Sequence, residues 1–212
     1  MLVGGSGLYF SSVAYRFEFP GHDQELRQRL EREYEEKGLE PLVSRLFEAD
    51  AEAAGYIDLK NPRRVIRALE VIALSGQSPE LALRARGELW YQPTVIWGLG
   101  WSREALIARI DQRVRGMFDQ GLVAEVSHLL AGEEGLGHTA RQAIGYREVI
   151  EYLEGKISLA EAEHAVASHT RRYARKQLSW FRRDSLIEWL EADSPDLSAL
   201  LVSRIRAMLQ RG

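Results

Sequence analysis

The chain has 212 residues, of which 28 are lysine or arginine and 31 are aspartate or glutamate, so its formal net charge is −3. An apolar fraction of 45% excludes wholesale disorder, and the lack of cysteine excludes disulfides, thiolate metal sites and a cysteine nucleophile. No apolar run approaches the ~18 residues that span a bilayer, and no secretory signal is recognisable, so we expect a cytoplasmic protein without membrane contact.

The first part of the chain predicts a short strand, a glycine-rich turn and a block of helices. The apolar residues Met1–Val3 predict a strand that enters the turn Gly4–Gly7, an arrangement that α/β proteins use to bind phosphate. The Asn61-Pro62 pair predicts a helix start, and Ser75-Gly76 predicts its end. Helices are expected over residues 23–38, 41–54 and 62–74.

The second part alternates strands with helices. Residues 94–101 predict a buried strand, and Ser102 is expected to cap a long helix that ends near Gly121. A short strand is predicted over residues 186–190, and a terminal helix from Asp196 onward. Helices are also expected from 121 to about 131, from 146 to 153 and over the basic segment around 168–183.

This element order predicts an α/β fold that is mostly helical by content. Because the strands are few and a helical block separates them, we expect an all-helical insertion within a core that lacks its first strands. The expected domains are a first core part over residues 1–22, the helical insertion over 23–89, and a second core part over 90–212.

Positive charge is concentrated in one segment. Residues 168–183 contain six basic and no acidic residues, which leaves a net charge of −9 on the remainder of the chain. At 100° per residue, all six basic residues fall on one side of a helix, and Tyr173 falls on the other side with the apolar residues. A solvated surface is the simple interpretation, but solvated faces normally mix charge signs, so the pattern favours a polyanionic partner.

Two further arginine features have alternative interpretations. Arg63, Arg64 and Arg67 lie near a helix N-terminus, where they oppose the helix dipole; either they contact an anion, or Glu70 pairs with Arg63 or Arg67. Arg113 falls in the apolar stripe of its helix, so it is predicted to face inward toward either a buried acid or a phosphate-bearing ligand.

Metal and nucleophile motifs are lacking in this sequence. The five histidines show no metal-binding spacing, and each is expected to be structural or exposed. Neither a G-x-S-x-G motif nor a G-x-x-x-x-G-K-[ST] loop occurs, which excludes a self-sufficient P-loop nucleotide site.

Six strings occur here in the order in which one known family has them, and the chain resembles the bacterial tRNA dimethylallyltransferases over essentially its whole length. The last string is the longest and most specific. The strings are Val3–Tyr9, Asn61–Val71, Arg109–Val114, Gly121–Val126, Ala143–Glu148 and Thr170–Arg183.

The resemblance implies the transfer of a dimethylallyl group from dimethylallyl diphosphate to N6 of the adenosine 3′ of the anticodon. It implies a P-loop-NTPase-like α/β core whose helical insertion grips the tRNA anticodon stem-loop, with the target base flipped out of its loop. It also implies Mg²⁺ as cofactor, for which this chain offers no ligands, and we expect a monomer. Catalysis needs a base for the N6 proton and cations for the leaving diphosphate.

The resemblance also assigns roles to residues by position. Ser6 replaces the threonine of a GGTG turn beside the reacting centre, so it is expected to be catalytic and to contact tRNA. Arg113 is expected near the diphosphate. Further tRNA contacts are expected from Arg27, Arg63, Arg64, Arg67, Gln142, Gly145, Tyr146, Arg147, Arg175, Lys176, Gln177, Trp180 and Arg182.

Two motifs of the family are not found in the 212 residues. These are the Walker-type loop that grips diphosphate and Mg²⁺, and a D-S-x-Q-x-Y motif whose aspartate is the general base. We therefore expect a fragment or an internally started gene product that is inactive alone. The alternatives are a non-catalytic RNA-binding module and an enzyme that prenylates free adenine nucleotides; the long helical insertion argues against the latter.

Overall fold

The computed structural model describes residues 1–16, 21–77, 88–132 and 135–210. The chain divides into two compact units, which comprise residues 1–94 and 95–212. Each unit has its own buried core, and each is described by itself below.

The first unit is built from helices whose ends follow from their capping residues. The Asp23 carboxylate accepts hydrogen bonds from the amides of Glu25 and Leu26, and the Asn61 side chain caps the last helix of the unit. Gly76 ends that helix in a left-handed conformation, with φ of 67°. Within the described residues of this unit, the helices are α1 (Gly7–Ala14), α2 (Gln24–Lys37), α3 (Glu40–Ala49) and α4 (Pro62–Ser75), and a 3₁₀ turn lies at Ala53–Gly55.

Helices α2, α3 and α4 enclose the core of the first unit. Val65, Ile66 and Leu69 of α4 are buried, as the sequence predicts. They pack in one cluster with Leu42 and Leu46 of α3, both fully buried. This packing places Arg63 and Arg64 on the exposed side of the helix.

The second unit contains both strands that the described residues form. β1 (Ile96–Gly100) and β2 (Ile187–Glu191) pair in parallel, with Ile96 opposite Ile187. Parallel pairing requires a crossover, and helices supply it. The helices of this unit are α5 (Arg103–Asp119), α6 (Leu122–Ala131), α7 (His138–Arg141), α8 (Tyr146–Leu153), α9 (Leu159–Phe181) and α10 (Leu197–Leu209).

Two small apolar clusters hold the helices of the second unit together. In one, Ile110 and Val114 of α5 pack against Val166 and Ala167 of α9. The other joins α6 to α8 through residues such as Val126. The N-terminal half of the basic helix α9 therefore packs against α5.

The predicted elements correspond closely to the observed ones, except for the strand at the start. Met1, Leu2 and Val3 form no strand and are largely exposed. Within the described residues the two strands pair only with each other, so this segment has no neighbouring strand to pair with. A strand requires a neighbour to satisfy its backbone groups. The observed architecture is mostly helical and contains a small parallel sheet. The expected domain boundaries after residues 22 and 89 stay predictions. No described helix combines the length and the apolar character that crossing a bilayer requires.

Candidate nucleic-acid interface

The basic helix α9 begins with a strong capping arrangement. The Ser158 hydroxyl accepts a hydrogen bond from the Glu161 amide, and the Glu161 carboxylate accepts one from the Ser158 amide. The helix then continues for 23 residues. The exposed arginines and lysine of its C-terminal half and of the two positions after it, here called the basic face, are Arg172, Arg175, Lys176, Arg182 and Arg183.

The structure changes the predicted membership of this face at two positions. Arg171 is partly buried and donates a 2.5 Å hydrogen bond to Asp111 of α5, so it joins two helices rather than facing solvent. Tyr173 was expected on the packed side, but its side chain is 49% exposed. Helix α5 covers α9 only along part of its length and on one side. Arg171 lies next to α5 and is therefore partly buried, whereas Tyr173 lies outside the contact and is exposed.

Gln177 and Trp180 lie beside the basic face and are partly buried. The Nε1 atom of Trp180 is buried without a hydrogen-bond partner in the structure, whereas buried donors normally have one.

The predicted loop Gln142–Arg147 leads directly into α8. Gln142 is exposed, whereas Gly145 is buried and has a φ of 102°, a backbone conformation that favours glycine. The hydroxyl of Tyr146 hydrogen-bonds to the carboxylate of Glu125 in α6. The loop conformation is therefore stabilised by the backbone geometry of Gly145 and by the hydrogen bond between Tyr146 and Glu125.

Glu148 forms the centre of a cluster that joins this loop to α9. Its Oε2 atom accepts a 2.7 Å hydrogen bond from the Gly145 amide. Its Oε1 atom is 2.6 Å from Nη2 of Arg147 and 2.8 Å from Nδ1 of His169. The Glu148 side chain is 1% exposed, whereas those of Arg147 and His169 are 39% and 31% exposed.

The electrostatics of this cluster favour an ionised carboxylate. Burial raises the pKa of Glu148, but the hydrogen bonds from the Gly145 amide, His169 and Arg147 outweigh it and bring the pKa below its ordinary value of 4.5. Glu148 therefore remains negatively charged and binds two basic side chains that each reach solvent.

A second cluster with the same chemistry lies in the first unit around Glu70. This fully buried carboxylate is 2.7 Å from Nη1 of Arg67 and 2.7 Å from Nδ1 of His22, and it accepts a 3.1 Å hydrogen bond from the Asp23 amide. Burial raises the pKa of Glu70, but its hydrogen bonds to Arg67, the Asp23 amide and His22 bring the pKa below 4.5. Of the two interpretations of Arg67, pairing with Glu70 is confirmed.

The other predicted arginines of the first unit remain at its surface. Arg27 forms an ion pair of 3.0 Å with Glu31, and both side chains are more than one-third exposed. Arg64 lies 4.0 Å from Asp58, a distance that holds the guanidinium loosely. Arg63 is exposed on α4, next to Arg64. Pairs of this kind contribute little stability, so these side chains can exchange an acid for an RNA phosphate at small cost.

The predicted inward orientation of Arg113 is wrong. Arg113 is exposed, and the buried stripe of α5 runs through Leu106, Ile110 and Val114 instead. The reason is that α9 packs against the i, i+4 row of α5, which leaves Arg113 just outside the contact. Its role as a diphosphate ligand stays a prediction.

Ser6 occupies the turn before α1 and is exposed. It is the N-cap residue of that helix, yet its hydroxyl makes no capping hydrogen bond. Its catalytic and tRNA-binding roles stay predictions. Within the described ranges, no three His, Asp or Glu side chains are grouped so that they could hold a metal ion, and the Mg²⁺ that the resemblance implies stays a prediction.

Three members of these clusters were not predicted from the sequence, namely Glu148, His22 and His169. The spacing between Gly145 and Glu148 matches a helix-capping arrangement, which was the available signal for Glu148. Nothing in the sequence indicates that His169 reaches Glu148, because the two are 21 positions apart on different helices.

Comparisons with known proteins agree with one another. Residues 1–184 match the family model described as IPP transferase. A "tRNA dimethylallyltransferase" of Nocardioides sp. is 46% identical over 209 residues, which is 99% of this chain and 67% of that protein. The curated relatives that the chain matches are longer, and it spans 56–67% of their length.

Solved structures show the same likeness. The "full-length tRNA isopentenylpyrophosphate transferase" from Bacillus halodurans has a TM-score of 0.56 and 33% identity, covering 95% of this chain and 63% of that one. A eukaryotic dimethylallyltransferase, whose structure is described as "acting on tRNA", has a TM-score of 0.69 at 20% identity, covering 95% and 55%. The latter likeness concerns the fold alone.

Proposed function

The chain belongs to the IPP transferase family, and we propose that it acts on tRNA as the RNA-gripping part of a dimethylallyl transfer system. In the transfer, N6 of the adenosine 3′ of the anticodon forms a bond to the dimethylallyl carbon. The bond from that carbon to the diphosphate oxygen breaks, the diphosphate leaves with the electron pair, and the N6 proton passes to a base.

The basic face of α9 is the observation that carries this proposal. Five exposed cations lie together there, in a chain whose net charge is −3. An RNA backbone is a polyanion, and its binding releases counterions when lysines and arginines neutralise its phosphates. The loop Gln142–Arg147, which Glu148 ties to α9, supplies further polar contacts to the same partner.

We propose that this chain alone binds tRNA without completing the transfer. Its 212 residues contain neither a G-x-x-x-x-G-K-[ST] loop nor a D-S-x-Q-x-Y motif, and the described residues hold no metal-binding group. Arg113 is exposed and can meet a diphosphate. A non-catalytic RNA-binding module is the alternative function of this chain.

Binding of an anticodon stem-loop RNA at increasing salt concentration tests the proposal. We expect the affinity to fall steeply, with a logarithmic slope of about −0.7 for each phosphate contacted. Arg175→Glu should weaken binding and flatten the slope. Arg206→Glu, on α10, changes the net charge equally and should leave the binding nearly unchanged.

Two outcomes would contradict the proposal. Salt-insensitive binding, or equal losses for Arg175→Glu and Arg206→Glu, would remove the basic face as the RNA contact. Incubation of the chain with tRNA, dimethylallyl diphosphate and Mg²⁺ tests the second part, since prenylated tRNA at normal rates would show that the chain is a complete enzyme.

A further inference from the structure

We infer that Glu148 is a positioning residue that holds Arg147 and His169 together as one contact for the RNA ribose–phosphate backbone. The inference rests on the proposed function and adds a residue, His169, and a ligand group, the ribose 2′-hydroxyl, to the proposed interface. It follows from the geometry of one carboxylate.

The first step concerns how rigidly the two basic side chains are held. Oε1 of Glu148 lies 2.6 Å from Nη2 of Arg147 and 2.8 Å from Nδ1 of His169, while Oε2 accepts the Gly145 amide. The carboxylate is almost completely buried, so it cannot exchange these bonds for water. Both basic side chains therefore have a fixed geometry before any RNA arrives.

His169 lies in line with the basic face along α9. Counted along α9, His169, Arg172 and Lys176 follow a spacing of three and four residues, which places them along one stripe of the helix. Arg147 joins the stripe at its His169 end, since its Nη2 atom lies 2.9 Å from His169 Nδ1. The Glu148 cluster thus extends the basic face by one helical turn through His169 and adds the guanidinium of Arg147.

The third step assigns the proton on the imidazole. An ionised carboxylate only accepts hydrogen bonds, so we assign the ring proton to Nδ1 of His169, which then donates to Oε1 of Glu148 at 2.8 Å, and the 2.9 Å approach of Arg147 Nη2 to the same nitrogen is not a hydrogen bond. In the neutral ring this leaves Nε2 as an acceptor on a side chain that is 31% exposed. A lone-pair acceptor beside a guanidinium matches an RNA backbone, in which a 2′-hydroxyl donor and an anionic phosphate are neighbours.

The Glu70 cluster gives the same arrangement in the first unit. There, a buried carboxylate binds Arg67 and Nδ1 of His22, and it also accepts a backbone amide. The two clusters share no sequence, and in each the arginine was expected to contact tRNA. An arginine–histidine pair on a buried glutamate is thus used twice by this chain.

A 2′-deoxy version of the anticodon stem-loop is the probe that tests the inference. For the full chain, we expect His169→Ala to weaken binding of the RNA stem-loop about fivefold and of the 2′-deoxy version less than twofold, because the acceptor for the 2′-hydroxyl is lost. Glu148→Gln should weaken RNA binding about tenfold, since two hydrogen bonds to a charged group are disturbed. Glu154→Gln is the matched control, on the exposed C-terminal end of α8, and should have no effect.

A double variant separates positioning from general destabilisation. Arg147→Ala and Glu148→Gln act on one contact, so the double variant should bind RNA no more weakly than the worse single variant. Additive losses would overturn the inference, as would an unchanged RNA-to-deoxy ratio in His169→Ala. His169→Ala changes only a partly exposed residue, so it remains informative even where Glu148→Gln fails to fold.

The failure of this inference differs from that of the proposed function. If the wild-type chain binds the stem-loop with a steep salt dependence while Glu148→Gln and His169→Ala keep wild-type affinities, the inference fails and the proposed function stands. If the wild-type chain does not bind the stem-loop at all, both fail.

Discussion

Arg171 of α9 donates its 2.5 Å hydrogen bond to Asp111 of α5, and this ion pair separates the structural cations of α9 from those that face solvent. Both side chains are about two-thirds buried or more. Five basic residues between 168 and 183 remain exposed. The pair thus shows that a run of like charges contains residues with different roles.

The first prediction follows from this difference. Arg171→Ala should lower the free energy of unfolding by about 1 kcal/mol, because it removes a partly buried charged hydrogen bond between two helices. Its effect on the salt dependence of RNA binding should be small. Arg172→Ala, one position later and exposed, should leave the free energy of unfolding nearly unchanged and should reduce the salt dependence of RNA binding. Urea unfolding and RNA titration of both variants check this; the same pattern for both would contradict it.

The second prediction concerns the sheet. A Cβ atom added at Gly98 would lie 2.8 Å from Cγ2 of Ile187 and 2.8 Å from the Trp189 ring, closer than atoms can approach. At Gly100 the nearest atom would be 3.6 Å away, an ordinary contact. Gly98→Ala should therefore cost about 1–3 kcal/mol of unfolding free energy, and Gly100→Ala less. Equal urea midpoints for the two variants would show that β1 and β2 do not pair in this register.

The third prediction is a pH dependence of stability that depends on Glu148. The pKa of Glu148 is lower in the folded protein than the ordinary 4.5, so the ionised group stabilises the fold above that pH. This stabilisation is lost as the pH falls through the folded pKa. The difference in unfolding free energy between wild type and Glu148→Gln should therefore shrink below pH 4.5. A difference that stays constant through acid pH would contradict it.

The fourth prediction concerns the start of α9. Ser158→Ala removes a capping hydroxyl that accepts the Glu161 amide, so it should lower the unfolding free energy by about 1 kcal/mol. Ser179→Ala, at an exposed site within the same helix, is the matched control and should be nearly neutral. Thermal unfolding of the two variants measures the difference, and a larger loss for the control would refute the cap.

Local signals were enough to predict most helix and strand bounds. The Asn61-Pro62 start and the Ser75-Gly76 end gave a helix over 62–74, and α4 spans Pro62–Ser75. Strand β1 lies within the predicted range 94–101, and Ser102 caps α5 as expected. These features depend on residues close in sequence, through capping and hydrophobic periodicity, and a single sequence contains that information.

The sequence by itself therefore determined the element order, the concentration of positive charge on α9 and the family resemblance. Only the tertiary structure decided that Arg113 faces solvent, that Arg171 pairs with Asp111, and that Glu148 holds His169. Periodicity defines the faces of a helix about its own axis, but the packing of neighbouring helices selects which face is covered. Contacts between residues 21 or 60 positions apart depend on that packing, and a pattern along one chain does not contain it.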